Sequence, residues 1–139
     1  MTTTAATSPD LTAHGKISVV KDGLVFFSPS GTSYEMHLIC PRYSGPLNEP
    51  IRGVIRVKAR KIYTVPSGGL FVTPIFGPPK IIQGRIRSVT QKSMILHAGG
   101  NITVDFPDDD AAFEMVNGPL AVGKLANVVA FPGATFELK

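Results

Sequence analysis

The sequence predicts an all-β protein made of two similar small barrel-like halves packed together, with one short helix in the second half. Fourteen glycines and twelve prolines among 139 residues are typical of short strands joined by tight turns. Apolar and polar residues alternate along much of the chain, which is the pattern of half-buried strands. The order of these segments starts again after the turn "GPPK", residues 77–80, which predicts an internal duplication.

The first half is predicted to cover residues 15–76. It follows residues 1–14, whose Thr, Ala and Ser content predicts a disordered tail. Its strands are predicted from "GKISVV", "GLVFF", "YEMHLIC", the basic segment "IRGVIRVKARKIYTV" and "LFVTPIF". In the basic segment the inward apolar positions shift after Arg60 to Ile62 and Val65, which predicts a β-bulge or bend near Lys61.

The second half is predicted to cover residues 81–139 and to repeat the first. "GRIRSV" corresponds to "GKISVV", "SMILH" to "GLVFF", and "NITVDFP" to the segment ending at Pro41. "KLANVVAFP" corresponds to "KARKIYTVP" at the same offset as the preceding pair. Each half is small for an independent core, so we expect a broad contact between the halves, as two barrels or as one barrel with shared strands.

A short helix is predicted within "PDDDAAFEMVNG", residues 107–118. Asp108 or Asp109 is a suitable N-cap, and Gly118 is a suitable C-terminal stop. The second half then has three strands, a helix and two strands. This order resembles an OB-fold, a five-stranded barrel with a helix after the third strand. In the first half "RYSGPLNEP" occupies the helix position, and its prolines favour a loop.

The charge distribution predicts a binding surface for an anionic partner. The net charge is +4, and nine basic residues but no acidic ones lie between Glu49 and Asp105. Alternation along the basic segment puts its cations on the solvent face together with Val54. If this strand and the one after "GPPK" are neighbours, their cations form a groove for a polyanion such as single-stranded nucleic acid. The predicted polyanion-binding residues are Arg52, Arg56, Lys58, Arg60, Arg85 and Arg87.

Single-stranded nucleic acid also requires aromatic side chains on which bases stack. The candidates are Tyr34, Tyr63 and one of Phe26 and Phe27, since adjacent strand residues face opposite ways. Two alternatives stay open. The cations are also explained as a solvated face that prevents edge-to-edge aggregation. The apolar segment "GLFVTPIFGPP" favours a structural or assembly module that presents Phe71 or Phe76 to another subunit or to a second copy.

The pair Arg52 and Arg56 in "RGVIR" resembles the RxxxR element of PilZ domains, small β-barrels that bind cyclic di-GMP. That family also has a downstream Asp/Asn-x-Ser-x-x-Gly element. Around Ser93 this chain has Gln91 and Leu96 at the positions of the acid or amide and the glycine. The resemblance therefore covers one short element only.

The sequence predicts no catalytic activity, no cofactor and no metal site. His37 and Cys40 are three residues apart on one strand and thus face opposite ways, and His14 and His97 lie near the tail and a turn. Cys40 is the only cysteine, which is compatible with the cytoplasm as the expected location. No apolar run approaches the roughly 20 residues that span a bilayer, so we expect no membrane insertion.

Overall fold

The computed structural model describes residues 11–106 and 120–139, and the backbone alone for 114–116. The described residues form an all-β structure, as the sequence predicts, without any helix. None of their segments is therefore a helix able to cross a bilayer. The strands are β1 (Ala13–Lys21), β2 (Leu24–Pro29), β3 (Glu35–Ile39), β4 (Ile51–Val65), β5 (Phe71–Thr73), β6 (Phe76–Gly77), β7 (Ile81–Val89), β8 (Ser93–His97), β9 (Asn101–Asp105), β10 (Glu114–Val116), β11 (Leu125–Ala130) and β12 (Thr135–Leu138).

The long strand β4 is paired along both of its edges. Gly53 pairs with β1 and β12, Ile55 pairs with β9 and β12, and Lys61 pairs with β10 and β11. The β11 and β12 pairings are antiparallel, whereas those of β9 and β10 are parallel. Because both edges are occupied, the side chains of β4 are left with an inward face toward the core and an outward face.

The pairings close into two rings that share β4. One ring runs β1–β2–β3–β12–β4, and its β3–β12 contact is the single pair Ile39 and Thr135. The other ring runs β4–β11–β7–β8–β9 with several residue pairs at every step. Strand β12, from the second predicted half, closes the first ring, and β4, from the first half, closes the second ring.

One continuous hydrophobic core fills the interior. Ile82, Val128 and Ile62 lie side by side on β7, β11 and β4, and each is fully buried. Phe27 of β2 packs against Phe136 of β12 with ring centroids 5.0 Å apart. Burying an aliphatic or aromatic side chain of this size stabilises a fold by about 1.5–3 kcal/mol, so the inward rows provide the main stabilisation of both rings.

The predicted short helix is wrong. Glu114–Val116, inside the predicted helical segment, is strand β10, which pairs in parallel with Lys61–Tyr63. The other residues of that segment, including Asp108, Asp109 and Gly118, lie outside the described part of the chain. The pairing gives the backbone groups of β4 hydrogen-bond partners, and a tertiary requirement of this kind overrides a local helix preference.

The OB-like duplication is not confirmed by this topology. Each ring combines strands of both predicted halves. Strand β10 pairs with β4 at the position where an OB-fold has a helix. The chain begins β1 at Ala13, so Ala13 and His14 belong to a strand rather than to the predicted tail. The division of the chain at residues 77–80 stays a prediction.

Gly53 is predicted to be intolerant of a side chain, because a Cβ there would clash with the Phe136 ring and lie 2.6 Å from the Glu137 carbonyl oxygen. We expect Gly53→Ala to lower the free energy of unfolding by about 1–3 kcal/mol, the usual cost of overpacking. Urea denaturation followed by circular dichroism measures this change. Gly69→Ala is the matched control, since a Cβ there meets no atom within 4 Å. Equal stability of the two variants would contradict this description of β4.

Candidate anion-binding surface

The cations of β4 lie on its outward face. All four predicted cations of this strand are exposed, and Val57 and Ala59 between them are buried. These exposed cations, which we call the β4 cations, are Arg52, Arg56, Lys58 and Arg60. Val54, which the alternation also predicts on the solvent face, is only 6% exposed. Val54 pairs with Glu137 of β12, and its low exposure departs from the alternation that the sequence predicts.

The predicted bulge is present in β4. Ala59 pairs with Ala130 and Lys61 pairs with the adjacent Val129, so Arg60 is an extra residue without a partner in the β11 register. After the bulge, Ile62 is fully buried, as predicted, and Thr64 rather than Val65 takes the next inward position. The bulge therefore changes which side chains face outward and leaves Arg60 exposed at the bend.

One of the β4 cations is paired with a carboxylate. The Arg56 Nη1 atom lies 2.9 Å from Asp105 Oδ1, and the two side chains are 50% and 30% exposed. Glu137, the other acid beside β4, lies 3.4 Å from the Lys139 Nζ atom. Within the described residues, Arg52, Lys58 and Arg60 have no ion-pair partner. The outward face of β4 therefore keeps positive charge that a bound anion would neutralise.

The two arginines of β7 lie elsewhere. Arg85 and Arg87 are exposed, but β11 lies between β4 and β7, so the expected groove between neighbouring basic strands is not formed. Arg85 pairs with Leu125, which pairs with Val65 at the far end of β4. At about 3.3 Å per residue, this level is roughly 20 Å along the strand from Lys58. Arg85 Nη1 also donates to the Gly123 carbonyl oxygen at 3.1 Å.

The two predicted stacking tyrosines are half-buried. The Tyr34 hydroxyl accepts a hydrogen bond from the Val72 backbone N–H at 3.2 Å, and its ring packs against the core. Tyr63 lies on β4 with Asn127 as its neighbour on β11. The Tyr34 ring therefore contributes to the packing of the protein, and a stacking role for either tyrosine stays a prediction.

A different aromatic group is more accessible. Phe27 is fully buried, whereas Phe26 lies on the outward face and stacks on His37 with ring centroids 3.9 Å apart and 9° between the planes. Phe76 contacts the same imidazole edge-on at 5.2 Å and is 63% exposed. We call Phe26, His37 and Phe76 the aromatic cluster. Phe26 is one of the stacking candidates named from the sequence, but its grouping with His37 and Phe76 was not predicted, because it requires the β2–β3 register and the attachment of β6 to β3.

The aromatic cluster lies near the β4 cations. Ile39 pairs with Thr135, and Thr135 pairs with Arg56, so β3 and β4 lie on either side of β12. Two strand spacings correspond to roughly 10 Å. Because β3 and β4 run in opposite directions, His37 lies at the level of Lys58. Strand β6 pairs with the edge of β3 that also contacts β12, which puts Phe76 on the side toward β4.

Compared with protein-family models, with curated proteins and with solved structures, the chain has no significant match. In the part of the chain that the structure describes, no three His, Cys, Asp or Glu side chains are grouped closely enough to hold a metal ion. His37 stacks on Phe26 and contacts Phe76 edge-on, and His97 Nδ1 is 3.0 Å from Asn101 Oδ1.

Cys40 is predicted to be a weak nucleophile. It packs partly buried against the core, and burial raises the pKa of its thiol. Only the thiolate reacts with an alkylating reagent, so the raised pKa lowers the reactive fraction near neutral pH. We expect iodoacetamide to modify the folded protein more slowly than free cysteine. As the pH is raised, the rate for the protein should still increase in the range where the rate for free cysteine has become constant. Mass spectrometry follows the modification, and urea-unfolded protein is the control. Folded protein that reacts like the unfolded chain would contradict this expectation.

Proposed function

We propose that the protein is a non-catalytic binding module for an anionic partner, with single-stranded nucleic acid as the partner that fits best. The observation that carries this proposal is the proximity of the exposed β4 cations and the aromatic cluster, whose exposed ring is Phe76. A single strand offers phosphates to cations and flat bases to aromatic rings, and proteins that bind it combine both kinds of contact. The cytoplasm is the proposed location.

Electrostatics supports the anionic part of the proposal. Lys58 and Arg60 are exposed and have no carboxylate partner among the described residues. Arg56 uses one Nη1 hydrogen bond to Asp105 and keeps further N–H donors. Strand β4 is a rigid support, because both of its edges are paired. Release of counterions from phosphates would supply affinity that falls as the salt concentration rises.

The aromatic cluster supports the choice of single-stranded nucleic acid over other polyanions. Phe26 and His37 are held parallel by cross-strand pairing, and Phe76 adds an exposed ring at their edge. Heparin and double-stranded DNA present no unpaired base to such a ring. A partner that uses only the cations would bind without any contribution from Phe76.

We also propose that the architecture arose by duplication of an OB-like unit. In both hairpins, β1–β2 and β7–β8, the register skips one residue, after Ile17 in the first and after Ile86 in the second. Ile17 and Ile86 are both buried. Matching bulges at matching positions support a common origin of the two hairpins. The two copies would have diverged on their outward faces, and the aromatic cluster occurs on the first copy.

The double substitution Lys58→Glu/Arg60→Glu is predicted to weaken binding of a fluorescent oligo(dT), measured by anisotropy over a range of salt concentrations. Loss of two phosphate contacts should lower the slope of log affinity against log salt by about 1.4 for a single strand. The matched control is Arg85→Glu/Arg87→Glu, which makes the same charge change on β7. We expect this control to keep the wild-type slope.

Two outcomes would contradict the proposal. An unchanged slope in the Lys58/Arg60 variant would show that β4 makes no phosphate contact. Equal losses in both double variants would show that net charge, and not the β4 surface, determines binding. Circular dichroism of each variant establishes that it is folded.

The second candidate function is a structural or assembly module. Ile75 and Phe76 are 58% and 63% exposed, next to each other between β5 and β7. Adjacent large apolar side chains with this exposure are typical of contact surfaces between proteins. In this function the partner is another subunit or a second copy, and the β4 cations only keep the sheet soluble.

Phe76→Ala distinguishes the two functions, and Ile75→Ala is its matched control. If bases stack on Phe76, its removal should cost about 1–3 kcal/mol of oligo(dT) binding, whereas Ile75→Ala should have little effect. Under this nucleic-acid-binding function, light scattering should show that the wild-type protein is a monomer at all concentrations. Under the assembly function, the mass rises with concentration, and both substitutions reduce this rise. Oligo(dT) affinity that is unaffected by Phe76→Ala would exclude the stacking contact.

A further inference from the structure

A cavity of about 310 Å³ lies on the outward side of the second ring, apart from the aromatic cluster. Register places Ser88, Ile95, Thr103 and Arg56 in one row across β7, β8, β9 and β4. All four residues line the cavity, and Leu11 and Met94 complete its apolar wall. This volume is at the lower end of the range of small-molecule pockets and is too small for a polymer.

Thr103 is the residue that indicates a ligand. It is only 3% exposed, and its Oγ1 atom is buried without a hydrogen-bond partner. Buried hydroxyls in folded proteins nearly always have a partner, so one without a partner requires an explanation. Of the other hydroxyls in the lining, those of Thr90 and Ser93 take part in hydrogen bonds between these two residues, and Ser88 is only half-buried. Thr103 can therefore form a hydrogen bond that nothing in the protein now provides.

Arg56 supplies the charge of the cavity. Its Nη1 atom donates to Asp105 Oδ1, which fixes the guanidinium and leaves other N–H groups available. The planar guanidinium matches a carboxylate, which accepts two parallel hydrogen bonds. Ile95, which belongs to the same row, and Leu11 form the apolar surface of the cavity. A ligand that satisfies both parts carries one acidic group and a short apolar body.

We infer that this cavity binds a small monocarboxylate with a short alkyl chain. The carboxylate contacts Arg56 and the Thr103 hydroxyl, and the alkyl chain packs against Leu11 and Ile95. The site is separate from the proposed polyanion surface, with which it shares only Arg56. Thr103 is buried and does not belong to that surface, and Lys58 and Arg60 do not line the cavity.

The test uses sodium pentanoate as the probe and the uncharged pentanamide as its comparison. Titration of the ¹⁵N-labelled full chain should give saturable shift changes centred on Ser88 and Thr103, and pentanamide should bind more weakly. Thr103→Val removes the hydroxyl at nearly constant shape and should weaken pentanoate binding about 2- to 10-fold, the usual effect of one hydrogen bond. Thr135→Val is the matched control, because Thr135 is exposed and pairs with Arg56 from the opposite edge.

The inference is overturned if pentanoate gives no saturable shifts, if pentanamide binds as tightly, or if both valine variants weaken binding equally. The wild-type shift map tests the location even if Thr103→Val fails to fold. Oligo(dT) binding of folded Thr103→Val should equal that of the wild type. The pentanoate and oligo(dT) measurements therefore test the cavity and the polyanion surface independently.

Discussion

The two-sided pairing of β4 is the constraint on which the rest of the structure depends. A strand with a partner on each edge cannot rotate about its axis, so each of its side chains is committed either to the core or to the outward surface. The inward row joins the two rings into one core, and the outward row carries the exposed cations. Gly53 allows this crowding, because the backbone of β12 and the Phe136 ring approach too closely for a side chain.

Local patterns in the sequence were sufficient for most strands of this fold, but not for β10. The alternation that predicted an exposed Lys58 and a buried Val57 is a property of one strand. The bulge near Lys61 was also predictable, because it changes the spacing of apolar residues along that strand. The helix prediction failed because capping signals describe only the local chain. Glu114–Val116 instead pairs with a strand far away in the sequence, and no local signal encodes that partner.

The candidate site was predictable only as far as local alternation determines it. Exposure of individual cations followed from alternation, but their grouping depended on strand order, which alternation does not determine. Strand β11 separates β7 from β4, and its register places Arg85 at the level of Val65. The contact of Phe26 with His37 depends on the β2–β3 register, and Phe76 joins them only through β6. Thr103 was not recognised, since an unpaired hydroxyl is visible only in three dimensions.

The long sequence separation between β4 and its partner β12 has a consequence for biosynthesis. Strand β12 pairs with Gly53–Arg56 and contributes the Phe136 ring that packs on Phe27. While the nascent chain is still being extended on the ribosome, β1 to β4 emerge first and leave that edge of β4 unpaired. An uncovered strand edge beside apolar side chains is a site for association with other chains and for chaperone capture. The first ring therefore closes only after Thr135–Leu138 has left the exit tunnel, which is long after β4 has emerged.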